Sequence, residues 1–197
     1  MTTVLIIDGE NFKGKIEEVF KTAGKPTPIW HEYDFQGLFD QILKGLTIDQ
    51  RVFYFARIKE HPDRRDKSRQ LIEQQRLMKN NLERQGFKVT VAGRVRGHYE
   101  NGFLGKQVLV FREKGVDVKM AVDMVSWTCD KKVDQIILAS SDSDLQPAIA
   151  EVKQRGAKCL YLGFETGPNK GISYNTHKTI LIRDSEVLSF EKKPALF

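Results

Sequence analysis

Four aspartates far apart in the sequence, Asp8, Asp117, Asp142 and Asp144, offer this chain its most distinctive chemistry. Asp8 directly follows the apolar run Val4-Leu5-Ile6-Ile7, and Asp142 and Asp144 follow Ile136-Ile137-Leu138-Ala139 after two serines. An acid at the end of a buried apolar strand is costly without a partner. If the two runs are neighbouring strands, their acids meet at one edge of a sheet. Asp117, at the start of the helix leading into the second run, could reach the same edge. Carboxylates 5 Å apart repel by roughly 3 kcal/mol per pair at an effective dielectric near 20, so a cation is expected among them. Oxygen donors without His or Cys select Mg²⁺ or Mn²⁺. Such an ion lowers the pKa of a water and steadies the charge that develops on a phosphodiester under attack. The expected chemistry is metal-dependent phosphoryl transfer, with Asp8, Asp117, Asp142 and Asp144 as ligands.

Taken singly, each acid has a plainer explanation. Asp142 and Asp144 suit the N-terminus of the helix after the second run, and Asp117 suits its own helix, because Asp is a favoured N-cap. Asn11 is placed either to orient a water or phosphate oxygen or to cap the first helix. Asp123 lies six residues after Asp117, a rotation of about 240° on a helix, so the two do not share a face and Asp123 is equally structural. Ser140 and Ser141 offer hydroxyls to Asp142, although serine before a helix also suits a turn. Lys114 could pair a phosphate oxygen. Cys129 and Cys159 form no Cys-x-x-Cys pair, and His31, His61, His98 and His177 have no zinc-ligand spacing.

The elements that must position these residues read as an α/β alternation. Short β-branched or aromatic runs predict strands at 3–7, 51–58, 87–92, 136–139 and 158–162. Helical spacing predicts helices at 12–21, at 35–43 behind the cap Asp34, at 63–85 and at 116–129, with a further one around Pro147 that ends at Gly156. Such an alternation implies a mostly parallel sheet with helices on both faces, its site at the carboxyl ends of the strands. Residues 94–113 alternate about Glu100-Asn101-Gly102 and are expected to form an inserted β-hairpin arm. From Gly163 onward the chain is expected to be loop-rich. A length of 197 residues fits one domain over 1–197.

Charge is regional. The net charge is +6, yet residues 51–100 hold 13 Lys and Arg against 6 Asp and Glu, a net of +7 that leaves −1 for the rest. A concentrated positive region raises the expectation of a polyanionic partner, although a charge run taken alone is more often a solvated helix face. A hydrophobic fraction of 40% excludes a disordered chain. No apolar run approaches the ~18 residues of a membrane span, and neither a signal peptide nor a membrane partner is expected. Residues 163–171 lack the Gly-Lys-Ser/Thr ending of a Walker loop.

Three ordered motifs carry a resemblance. Ile7-Asp8-Gly9-Glu10-Asn11, Lys114-Gly115-Val116-Asp117-Val118 with Asp123, and Ser140-Ser141-Asp142-Ser143-Asp144-Leu145 with Pro147 closely resemble the NYN-domain family, the LabA-like branch of the PIN-like nucleases. The resemblance implies a PIN-like three-layer α/β/α sandwich with a mostly parallel central sheet, and a Mg²⁺- or Mn²⁺-dependent ribonuclease site. By motif, Asp8, Asp117, Asp142 and Asp144 look like the metal-binding carboxylates and Asn11 like the polar partner after the first strand; Asp123 matches a position in the central motif. Ser141 stands where the family more commonly has Gly.

The expectation is a cytoplasmic, metal-dependent ribonuclease acting on single-stranded or structured RNA. Arg64, Arg65, Lys67, Arg69 and Arg76 on the basic helix, and Arg94, Arg96, Lys106 and Arg112 on the arm, are the candidate phosphate contacts. His98, Tyr99 and Phe103 are placed to stack on bases or to pack on the arm itself. The alternative is a catalytically silent RNA-binding or regulatory adaptor on the same PIN-like fold. A phosphatase for a small substrate would need less positive charge than this region holds. Oligomeric state is left open, a homodimer included.

Overall fold

A computed structural model of the chain describes residues 1–101 and 107–191. Phe103 and Lys106, and the side chains of Arg96, His98, Tyr99 and Arg112, lie outside the described residues, as does the tip of the arm.

The first apolar run forms β1 (Thr3–Asp8), buried along its whole length, and passes directly into α1 (Gly9–Thr22). Next come α2 (Phe35–Ile42), β2 (Gln50–Phe55), a short 3-10 turn, the long α3 (Arg65–Arg84) and β3 (Lys88–Val91). The arm is an antiparallel ribbon of β4 (Arg94–Asn101) and β5 (Gln107–Lys114). The chain then continues through α4 (Val116–Cys129), β6 (Gln135–Ala139), a second 3-10 turn (Ser143–Leu145), α5 (Gln146–Gln154) and β7 (Lys158–Phe164). The last elements are α6 (Lys170–Asn175), β8 (Lys178–Ile182) and α7 (Asp184–Ser189).

Six strands form one parallel sheet in the order β3-β2-β1-β6-β7-β8. Alternation along β1 divides the core into two layers. Leu5 and Ile7 face a layer built by α1, α2, α3 and α7, whereas Val4 and Ile6 face α4, α5 and α6. The first layer is rich in aromatics: Phe12 stacks on Phe39 at 5.2 Å, and Phe53 meets Phe35 edge-on at 5.4 Å. The result is a three-layer α/β/α sandwich with the arm standing outside it.

The strand order reverses between β1 and β6, which are hydrogen-bonded neighbours with Ile7 beside Ala139. Chain segments leaving their carboxyl ends diverge there and open a crevice, the usual ligand position in sheets of this kind. The tail expected to be loop-rich instead supplies a sixth sheet strand and two helices. Only Ile182 of β8 is fully buried, because β8 is an edge strand with Lys178 in solvent and Leu181 exposed, so its sequence carries little strand signal. Tyr33 fastens this tail by donating its hydroxyl to the Val187 carbonyl at 2.7 Å.

Candidate metal centre

Asp117, Asp142 and Asp144 each bring a carboxylate oxygen within 4.8 Å of the other two. The trio sits at the reversal of the sheet. Asp142 follows β6 by way of Ser140 and Ser141, and its Oδ1 accepts the Asp144 N–H at 2.9 Å, so it caps the 3-10 turn that carries Asp144. Asp117 lies in the first turn of α4, whose preceding residue Gly115 has a φ of +88°. That left-handed conformation swings the chain from β5 into α4 without the strain a side chain would impose there. Asp117 does not cap α4. Capping and clustering therefore coexist in Asp142, and Asp117 and Asp144 point to the same place without being caps.

Asp8 lies beside the trio and outside it. Its Oδ1 accepts the Asn11 N–H at 3.2 Å and caps α1, and its Oδ2 accepts the Ser140 hydroxyl at 3.1 Å. Burial pushes its pKa from 3.8 up to about 6; those two hydrogen bonds oppose the shift, and the charges of Asp117 and Asp142 add to it. Gly9 keeps this corner tight, since a Cβ there would lie 2.1 Å from the Phe55 ring.

Asn11 does not cap α1, a place that Asp8 takes. The Asn11 Oδ1 accepts both the backbone N–H and the hydroxyl of Ser141, each at 3.0 Å, and so ties α1 to the loop after β6. Ser141 uses the hydroxyl that a glycine would lack. Ser140 does two jobs at once, donating to Asp8 and accepting the Asp142 N–H at 3.1 Å. Asn169 holds the loop from the far side: its amide donates to the Ser141 carbonyl at 2.9 Å while its Oδ1 caps α6. Sequence reading passed over Asn169, and its one signal was an Asn at the N-cap of a short helix in a tail taken for loop.

Asp123 turns away from the trio, as the 240° rotation requires. It is buried against the sheet, where it accepts the Tyr54 hydroxyl at 2.8 Å and the Lys119 ammonium at 2.6 Å. Burial, and after it the bond to Asp123, raises the Tyr54 pKa. Tyr54 pairs in register with Asp8, so this buried bond anchors α4 to the strand next to the site.

No lysine or arginine among the described residues is ion-paired to Asp8, Asp117, Asp142 or Asp144, whereas many other exposed acids of the chain have such a partner. At the separations of the trio each pair repels by about 3 kcal/mol at an effective dielectric near 20. Three convergent oxygens of hard donors suit a small divalent cation, and the residues present therefore fit one.

Basic residues flank this edge unevenly. Arg69 and Arg65 approach Glu60 at 3.2 and 3.9 Å, and Arg76 makes a two-pronged contact with Glu73, so part of the α3 charge is matched internally. Arg64 and Lys67 are exposed. The arm register sets Arg94 opposite Lys114 and Arg96 opposite Arg112. Arg94 and Lys114, both exposed, stand as a like-charged cross-strand pair at the foot of the arm, three residues before Asp117. Such a pair is destabilising until an anion joins it.

The family model of the NYN domain matches residues 2–180, nearly the whole chain. The chain belongs to the NYN-domain family. NYN domains are a PIN-like nuclease family, and PIN-like nucleases typically use divalent metals. An uncharacterised protein of Methanocaldococcus jannaschii is 34% identical over 77 residues, which is 39% of this NYN chain and 32% of that relative. The chain thus matches about a third of the length of that curated protein. A crystal structure of a protein of unknown function from Vibrio parahaemolyticus superposes with a TM-score of 0.61 over 92% of both chains at 16% identity, a likeness of fold. No described helix of this NYN domain is long and apolar enough to cross a membrane.

Proposed function

We propose that this NYN-domain protein is a Mg²⁺- or Mn²⁺-dependent ribonuclease that hydrolyses RNA phosphodiester bonds. The observation that carries the reading is the convergence of Asp117, Asp142 and Asp144 within 4.8 Å with no ion-paired lysine or arginine among the described residues. Those three hold the cation, and Asp8 supports them from behind through Ser140. A bound divalent cation would supply an acidified water and neutralise the charge that develops on the phosphate. Asn11 and Asn169 fix the Ser141 loop from opposite sides, which holds the Asp142 carboxylate in place. Lys114 and Arg94 at the foot of the arm take RNA phosphates, as do Arg64, Arg65, Lys67, Arg69 and Arg76 on and beside α3. The cytoplasm is the proposed setting, where RNA is abundant and the free thiols Cys129 and Cys159 stay reduced.

The test is cleavage of a mixed-sequence single-stranded RNA with and without added Mg²⁺ or Mn²⁺. Product is expected only with the cation, and Asp142→Asn or Asp117→Asn should lower the rate by at least about a hundredfold, a loss of roughly 2.7 kcal/mol in transition-state stabilisation. Circular dichroism should show both variants folded. RNA bound equally with and without cation, and left intact throughout, would make the protein an adaptor instead.

A further inference from the structure

Next to the carboxylates, one strand further along the same sheet edge, lies a cavity of about 460 Å³ that the metal centre does not use. Its size falls within the range of small-ligand sites. It exists because α3 touches the core mainly through its carboxyl half: Met78 and Leu82 are buried there, whereas Ser68 is the one buried residue before Met78. The amino half stands off, and the gap is walled by Trp30, Phe55, Leu71 and Met78. Phe55 ends β2, the strand paired with β1, and its ring rests on Gly9; Glu10, two residues after Asp8, lines the opening. Strands are spaced at about 4.8 Å, so cavity and carboxylates are one or two strand widths apart.

We propose that this cavity receives one unpaired base of the RNA, an amino-bearing base such as adenine or cytosine, while its phosphate stays outside at the metal centre. The proposal rests on the nuclease reading for its substrate class. Trp30 and Phe55 offer aromatic surface for a base, as aromatic platforms do in single-strand recognition; the Lys13 ammonium lies 5.2 Å from the centre of the Trp30 ring and gives way to a base seated there. The polar lining combines acceptors with one cation. Glu17 is exposed and has no ion-paired partner among the described residues, the Gln75 amide nitrogen is consumed by the Ala56 carbonyl at 2.8 Å so that its oxygen is the acceptor left to the amide, and Lys13 is held by Glu10. Acceptors take hydrogen bonds from the exocyclic amines of adenine, cytosine and guanine, whereas uracil offers them only a ring N–H set between two carbonyls. Glu17, without an ion-paired partner among the described residues, disfavours a phosphate at the opening, which turns the backbone toward the cation.

The test uses the full chain in chelator, with Trp127→Phe so that Trp30 is the only tryptophan, titrated with adenosine, cytidine, uridine and ribose. Adenosine and cytidine are expected to quench Trp30 fluorescence saturably, uridine about tenfold more weakly, the discrimination that one base edge supplies, and ribose not at all. Leu71→Tyr, which fills the cavity, should abolish the quench. Glu17→Gln, at an exposed site where folding is not at stake, should narrow the gap between adenosine and uridine. Equal binding of uridine, equal binding of ribose, or an unchanged response in Leu71→Tyr would overturn the proposal. RNA cleavage on the same preparation separates the two readings: a saturable, base-selective quench with no cleavage under any cation leaves the base site and removes the nuclease, and cleavage without any quench does the reverse.

Discussion

Asp8 is an acid held where acids are disfavoured, and its titration gives that position a measurable consequence. Its pKa is pushed from 3.8 to about 6, chiefly by burial. Because the folded state binds the proton more tightly, the associated stability is fully present below pH 3.8 and is lost as pH rises through about 6. In the metal-free protein at neutral pH, ionised Asp8 therefore costs roughly 2–3 kcal/mol, at 1.36 kcal/mol per unit. Asp8→Asn removes that cost, since an amide can still accept the Asn11 N–H and can donate to Ser140. Urea denaturation in chelator should find Asp8→Asn more stable than the parent by roughly that amount at neutral pH, with the advantage gone near pH 4. Saturating Mg²⁺, held by Asp117, Asp142 and Asp144, should stabilise both proteins and narrow the gap, because its charge favours ionised Asp8 in the parent. Equal stabilities at both pH values would mean that Asp8 is not strained by its burial.

The arm and α3 divide the positive charge between them, but only part of it is free to meet a polyanion. Arg65, Arg69 and Arg76 lean on Glu60 and Glu73 along α3, whereas Arg94 and Lys114 face each other as like charges across the foot of the arm. Replacing Arg94 and Lys114 with Glu should therefore weaken RNA binding more than replacing Arg69 and Arg76. It should also flatten the dependence of log affinity on log salt by about one for each phosphate no longer neutralised. An unchanged salt slope would remove the arm from the interface. Legibility also differs by element. The strands of the centre were plain in the sequence because β1 and β6 are buried on both faces and read as unbroken apolar runs ending in serine or acid. The edge strand β8 was not, since half-exposed residues carry no such pattern. The meeting of Asp117, Asp142 and Asp144 could be expected once β1 and β6 were taken as neighbours. The bond from Ser141 to Asn11 could not, because it joins positions 130 residues apart by side-chain geometry that no spacing encodes. Equally, no spacing in the sequence shows that Asp8 caps α1 through the Asn11 N–H and accepts the Ser140 hydroxyl.

Across the whole molecule, a six-stranded parallel sheet reverses its order between β1 and β6, and the acids gather at that reversal while positive charge is concentrated on α3 and at the foot of the arm. This distribution suits a ligand that is itself a chain of anions, drawn in by the basic residues and turned over at the acids. The central claim is that the crowding of Asp117, Asp142 and Asp144 is relieved by a divalent cation. The most direct measurement is anomalous diffraction from a crystal of the protein soaked in Mn²⁺. A manganese peak roughly 2 Å from oxygens of these three carboxylates, absent from an Asp142→Asn crystal, is the predicted result. A fully soaked crystal with no peak there, its three carboxylates turned apart or each met by a lysine or arginine, would contradict it.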